Sequence, residues 1–254
     1  MRNYIAFLKK ELLESVRTYK FFVIIAVFFA FGMMSPLAAK LMPKLISYAQ
    51  KDGMKISMPE PAAIDSWKQF FKNISGMGII VTALIFSGVL ANELSRGTLI
   101  NMLTKGLNRS TVIISKFTAM IIIWTTSYAL AFTMAFIYTA YLFKNHQMHN
   151  LLFSIFCLWL FGVFLLAVIL LGGVLAKSSY GCLFITGTAA VILMILNAFP
   201  KMQKYNPFSL SSNNVALLTN SVKISELYYP IFISGVLILV CVIGSISIFN
   251  KQQI

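Results

Sequence analysis

NHQMHNLLFSIFCLWLFGVFLLAVILLGGVLA, residues 145–176, runs for 32 residues without an Asp, Glu, Lys or Arg. A helix needs about 20 mainly apolar residues to cross the hydrocarbon core, and apolar runs in buried soluble helices stop at about 10–14. This stretch therefore predicts a membrane-spanning helix over 151–176. Working outward, further charge-free runs cover Phe21–Ala39, Asn73–Asn92, Phe117–Phe143, Ser178–Pro200 and Leu227–Asn250. Counted inclusively they are 19, 20, 27, 23 and 24 residues long. The expected fold class is an all-α membrane protein with six spans, at about 21–41, 74–91, 117–143, 151–176, 180–199 and 228–249.

Composition agrees with that reading. The chain has 254 residues, 59% hydrophobic and 11% charged, whereas a soluble domain carries roughly 25% charged residues. The net charge of +14 suits a protein touching anionic headgroups. Nucleic-acid binding would need a basic face on a folded soluble domain, and the sequence has none. A positive N-terminal segment precedes the first run, but the run is long and no small-residue cleavage site follows it, so it reads as a retained helix. Cys157, Cys182 and Cys241 all fall inside spans, as small buried hydrophobes rather than as a disulfide or metal framework.

Six spans place both termini on one side. With the N-terminus inside, 11 cations fall inside and 10 outside, which hardly decides orientation. All four arginines (Arg2, Arg17, Arg96, Arg109) belong to the inside set, however, and five cations precede the first span. The first helix usually dominates insertion, so both termini are expected in the cytoplasm.

Residues 1–20 form the next element. At 100° per residue Ile5, Leu8, Leu12, Val16 and Tyr19 fall on one stripe, with Lys10, Glu14 and Arg17 opposite. That pattern predicts an amphipathic helix lying in the headgroup plane, its apolar residues at the membrane interface. Long outer loops are expected over 42–73 and 200–227. Pro36 should kink or stop the first span. AIDSWKQFFKNIS suits a short helix leading into span two, and NVALLTNSV a short helix re-entering the outer leaflet.

The segment 92–116 is the polar part of the chain. ELSRGTLINMLTKGLNRSTVIISKF, residues 93–117, holds one carboxylate and four cations. Leu94, Leu99, Met102 and Leu103 can share one helical face, Gly106 can end that helix, and Asn108 or Ser110 can cap the next. A handful of residues would suffice to join two antiparallel helices. A structured insert with exposed Glu93, Arg96, Thr98, Asn101, Lys105 and Arg109 reads as a contact surface for another protein.

A span ending in Glu93, then Arg96-Gly97-Thr98, then Arg109-Ser110 and Lys116 entering the next span, resembles the permeases of type-2 ABC exporters. The resemblance covers nearly the whole chain. It implies that 92–116 is a coupling segment docking on a separate cytoplasmic ATPase, with Glu93, Arg96, Gly97 and Thr98 in the contact; the exposed Asn101 and Arg109 extend that surface, and the short inner loop at Lys177 offers a second contact. The family's proline before Arg-Ser is replaced here by Asn108. A homodimer of the permease is implied, with ATP and magnesium held by the partner. The chain itself lacks a GxxxxGK[ST] loop and is expected to carry no catalytic residue, cofactor or metal. The resemblance to permeases of small bacterial exporters implies an amphipathic, toxin-like peptide as cargo.

Other functions fit less well. Ion-coupled transport usually needs ionisable groups within the membrane, and the charge-free runs contain none. His146 and His149 have HxxH spacing but no third ligand nearby. Export of sodium, a drug or an antimicrobial peptide stays open, as does a non-transporting membrane scaffold or sensor.

Overall fold

The structure, a computed structural model, describes residues 2–49, 60–95, 97, 108–144 and 148–251. Arg96, Thr98, Asn101 and His146 lie outside the described residues, as do Leu99, Met102, Leu103, Lys105 and Gly106. The described chain is helical: α1 Arg2–Arg17, α2 Lys20–Ala49, α3 Ala63–Asn73, a π-helical turn Ile74–Gly78, α4 Ile79–Ser95, α5 Arg109–Leu142, α6 Leu151–Ala176 and α7 Ser179–Asn197. Short helices α8 Pro200–Gln203, α9 Ser209–Ser212 and α10 Asn214–Leu218 follow, then a 3-10 turn Ile224–Leu227 and α11 Tyr228–Lys251. Six helical segments are long and apolar enough to cross a membrane.

Pro36 does not stop the first span. α2 continues through it to Ala49, although a helix-interior proline removes one backbone bond. The loss falls on the carbonyl of Gly32, where α2 lies closest to α5: a Cβ on Gly32 would sit 2.6 Å from the Ala131 carbonyl oxygen. Packing along α5 keeps α2 helical where propensity alone would bend it. Ser35 next to the proline accepts a bond from Asn73 Nδ2 at 3.0 Å, tying α2 to α3.

Span two is longer than its apolar run. α3, the π turn and α4 form one helical path from Ala63 to Ser95, 33 residues. The buried positions Phe70, Ile74, Gly78, Thr82, Phe86 and Leu90 repeat every four residues. Each step of four overshoots a full helical turn by about 40°, so a straight α-helix would carry this stripe away from the core. The π turn accommodates one extra residue and swings the stripe back.

α6 is the central span, with 72% of its apolar window buried. Against it an aromatic column runs through α2, α3 and α5. Phe28 meets Trp124 edge-on at 5.5 Å and Trp124 stacks on Tyr128 at 5.4 Å. Both rings of α5 also reach α6 backbone: Trp124 Nε1 donates to the Trp159 carbonyl at 3.2 Å and the Tyr128 hydroxyl to that of Ile155 at 3.0 Å. Trp124 fits because position 162 has no side chain. α7 and α11 lie at the periphery, with only 11% and 17% of their most apolar stretches buried, and turn apolar faces outward as lipid or a second apolar surface requires.

The hydroxyl residues inside spans mainly bond back to carbonyls of their own helix, one turn earlier. Thr126 and Ser127 donate to Ile122 and Ile123 carbonyls, and Thr125 accepts from Trp159 Nε1. Asn197 binds Ser209 and Ser212, fastening the end of α7 to α9. Within NVALLTNSV, α10 forms over Asn214–Leu218 and packs its buried Leu217 and Leu218 back against α6 and α3. All three cysteines are buried and free.

Candidate functional site

Three helix ends meet around Lys116. α5 is 34 residues long, about 51 Å at 1.5 Å per residue, against a hydrocarbon core of about 30 Å. Lys116 is the eighth residue of this helix, directly before its charge-free run. It is fully buried, at 0% exposure. A buried ammonium needs paired and hydrogen-bonded partners, and two glutamates supply them. Nζ of Lys116 lies 2.9 and 2.8 Å from the two oxygens of Glu11 on α1 and 2.6 Å from Glu93 Oε2 at the end of α4. It also donates to the Val89 carbonyl at 3.2 Å.

A second lysine closes the cluster from the outside. Lys10 Nζ sits 3.0 Å from Glu11, 2.6 Å from Glu14 and 2.7 Å from Glu93. Partial burial alone would lower the Lys10 pKa, but hydrogen bonds to Glu14 and Glu93 and the field of Glu11 outweigh it and raise the pKa above the ordinary lysine value. A raised lysine pKa keeps the stabilising charged form present below the unfolded value, and it is lost only as pH rises through the folded one. Lys10 thus stays charged across the neutral range.

This geometry corrects one sequence expectation. Glu93 is not an exposed group, because its side chain is 14% exposed and turned towards both lysines. The charged side of α1 brings Lys10, Glu11 and Glu14 into the cluster. α1 docks on α5 through Phe7, which is buried, and through Tyr4, whose hydroxyl donates to Thr118 Oγ1 at 3.0 Å. The apolar stripe lies mainly outward: Ile5 is 62% and Val16 37% exposed, with Leu8 and Leu12 half-buried. The signal that could have located the cluster was charge scarcity. With seven acids in the chain, a lysine entering one span and a glutamate leaving another are unlike solvated surface charges.

The insert beyond Glu93 opens on a break. Gly97 adopts a left-handed backbone, φ 65°, and its N–H bonds the Leu94 carbonyl at 3.3 Å. α4 therefore ends at Ser95, a few residues past the expected end of span two. On the far side Asn108 is the N-cap of α5 by backbone position, without a side-chain cap bond. Arg109 reaches across to the end of the chain, donating to the Phe249 and Asn250 carbonyls at 2.8 and 3.1 Å and lying over the Phe249 ring. A cation on the last carbonyls of a helix satisfies orphan acceptors and complements the dipole. Lys177 is exposed in the α6–α7 turn with φ 53°. Next to it Ser179 donates to Asn92 Oδ1 at 2.7 Å, joining the starts and ends of α7 and α4.

A metal site is poorly supported by this chemistry. Carboxylate oxygens of Glu11, Glu14 and Glu93 lie within 4.8 Å of one another, but each of the three carboxylates already pairs with the Lys10 or Lys116 ammonium. His149 is exposed. An apolar cavity of about 210 Å³ opens instead between α4, α6 and α7, with Trp124 behind it and Ile80, Leu84, Leu165, Ile169 and Gly187 on its walls.

A helical bundle of six spans, an N-terminal helix locked to the ends of spans two and three, and a polar insert between those spans define a membrane transport component. The family model described as ABC-2 family transporter protein matches residues 5–253, and the chain belongs to that family. It is also 22% identical, over 260 aligned residues, to the uncharacterized transmembrane protein YxlG of Bacillus subtilis (strain 168), covering 100% of this chain and 99% of that one.

Proposed function

We propose that this chain is the membrane subunit of an ATP-driven exporter, working as a pair of copies on two cytoplasmic ATPase chains and moving an amphipathic peptide out of the cell. Both termini and the 92–116 segment face the cytoplasm across the plasma membrane, and ATP and magnesium belong to the ATPase. The observation that carries this reading is the Lys10–Glu11–Glu14–Glu93–Lys116 cluster. It ties α1 to both stems of the insert, Glu93 on one side and Lys116 on the other. A push on the insert from a partner is then carried into spans two and three as one body rather than lost in a loose loop. Glu93 acts in this reading by stiffening the stems; Arg96, Gly97, Thr98, Asn101 and Lys177 are the contact groups. The 210 Å³ cavity has apolar walls and opens between the central span α6 and the helices α4 and α7, which suits a lipid-like or amphipathic cargo better than a bare ion.

The test is ATP hydrolysis by the complex of this chain with its ATPase in lipid nanodiscs. An amphipathic helical peptide should stimulate turnover and sodium should not. Glu93→Gln, with the complex still assembled, should cut the peptide-stimulated increment about tenfold, within the usual range of coupling free energies. Stimulation by sodium alone, or a Glu93→Gln complex stimulated like the parent, would remove the peptide or the coupling assignment respectively.

Orientation has its own check. With the three native cysteines replaced, Asp52→Cys should react with an impermeant thiol reagent in intact cells. Reaction only after lysis would invert the topology.

A further inference from the structure

A second cavity, about 390 Å³, lies beside the ion cluster between α1, the start of α2 and α4, with α5 as its floor. Its lining changes with depth. Glu14, Lys20 and Asn92 stand at the helix ends, while Ile85, Phe86, Met120 and Ile123 line the deeper part. Ile85 and Asn92 are seven residues apart on α4, about 10 Å along the helix axis. The cavity is therefore polar at headgroup depth and apolar one to two turns further in.

The charges there are unevenly used. Lys116 and Lys10 engage Glu11 and Glu93. Lys10 also takes Oε2 of Glu14, and Glu14 Oε1 has no partner among the described residues. Lys20 is half-buried, held on the cavity wall by the left-handed turn at Tyr19, φ 59°. It makes no ion pair within 4 Å and no hydrogen bond among the described residues, and the cluster reaches it only through the field of Glu14, with lesser contributions from Glu11 and Glu93. A partly desolvated ammonium of this kind favours an anionic partner. A carboxylate oxygen on the same wall favours a cation, and the slot below favours hydrocarbon.

We propose that this cavity binds one phospholipid with an aminoethyl-phosphate headgroup, taken from the leaflet on the α1 side. The phosphate pairs with Lys20, the headgroup ammonium with Glu14, and one acyl chain lies between α4 and α5. A dipolar headgroup matches a wall carrying one available cation and one available carboxylate oxygen. An anionic headgroup without the amine would meet Lys20 but leave Glu14 facing it. The bound lipid fills the gap between α1 and α4 and so steadies the docking of α1 next to the cluster. This inference goes beyond the exporter reading and does not depend on the cargo.

The experiment equilibrates the full chain in nanodiscs holding equal parts of dioleoyl phosphatidylethanolamine, phosphatidylglycerol and phosphatidylcholine. The protein is then transferred to mild detergent and the retained lipid read by native mass spectrometry. Phosphatidylethanolamine should be retained about tenfold over each competitor, the ratio that about 1.4 kcal/mol gives. Lys20→Ala and Ile85→Trp should each return retention to the bulk ratio, the first by removing the cation and the second by filling the slot. Lys20→Arg should keep it. Arg17→Ala, which removes an exposed cation outside the cavity, should also keep it. No enrichment in the parent would overturn the proposal. So would enrichment that survives both Lys20→Ala and Ile85→Trp, or equal loss on Arg17→Ala, which would mean general surface charge. Phosphatidylglycerol retained as strongly as phosphatidylethanolamine would overturn the headgroup assignment, and so would phosphatidylcholine, whose trimethylammonium has no N–H to donate to Glu14. Each variant is first checked for a monodisperse elution profile; if Lys20→Ala fails it, Ile85→Trp decides.

Discussion

Lys116→Met should destabilise the protein by about 3–5 kcal/mol, the usual loss when one partner of a buried ion pair is removed. The lysine is wholly buried, and three carboxylate oxygens and one carbonyl surround its ammonium. Methionine fills nearly the same volume, so the loss is electrostatic rather than a cavity. Glu11, itself 6% exposed, would be left with Lys10 alone. Unfolding in mixed micelles, followed by tryptophan fluorescence, measures the effect. The pair Lys116→Met with Glu11→Gln should cost clearly less than the sum of the two single changes, since each single change strands a charge that the double does not. Additive costs, or a single-variant loss below about 1 kcal/mol, the worth of an exposed ion pair, would show that the cluster does not hold α1 to the bundle.

The second large effect concerns a residue without a side chain. A Cβ on Gly162 would lie 2.1 Å from Trp124 Cζ2 and 2.3 Å from its Cε2, so Gly162→Ala must displace the indole. That ring is locked by its stack on Tyr128, its edge contact with Phe28 and its bond to the Trp159 carbonyl. Overpacking costs about 1–3 kcal/mol, and freeing a buried N–H adds about 1–3 kcal/mol more. A lowered melting temperature together with a weakened near-ultraviolet circular dichroism band is the expected outcome. Gly162→Ala with parental stability and an unchanged aromatic band would mean that Trp124 does not lie across α6 as described.

The six spans were legible because length and charge scarcity are local properties of the chain. The buried state of Lys116 was not. A lysine at the mouth of an apolar run reads equally well as a headgroup anchor, and its partner Glu11 lies 105 positions away. A helical-wheel reading of α1 found its two faces, but periodicity alone does not say which face has a neighbour. The same limit hid Arg109, whose acceptors lie 140 and 141 positions further on. Gly162 carried no signal at all, since its requirement belongs to Trp124 on another helix. Pro36 did not stop α2, because the packing of α2 on α5 outweighs one missing backbone bond. The insert itself was legible as a polar interruption, and its break at Gly97 follows from the one residue type that adopts that backbone without strain.

The π turn at Ile74–Gly78 acts as a phase shifter within span two. It holds the half that ends in Glu93 out of step with the half that begins at Ala63 by one residue, about 100° of helical rotation. Were this turn to relax into an ordinary α-helix, the two halves would come into phase. The half that ends in Glu93 would then unscrew by roughly a quarter of a revolution, which would carry Glu93 off Lys116 and turn a different side of α4 towards α7. One residue's worth of winding thus sets both the grip on α1 and the wall that the 210 Å³ cavity presents.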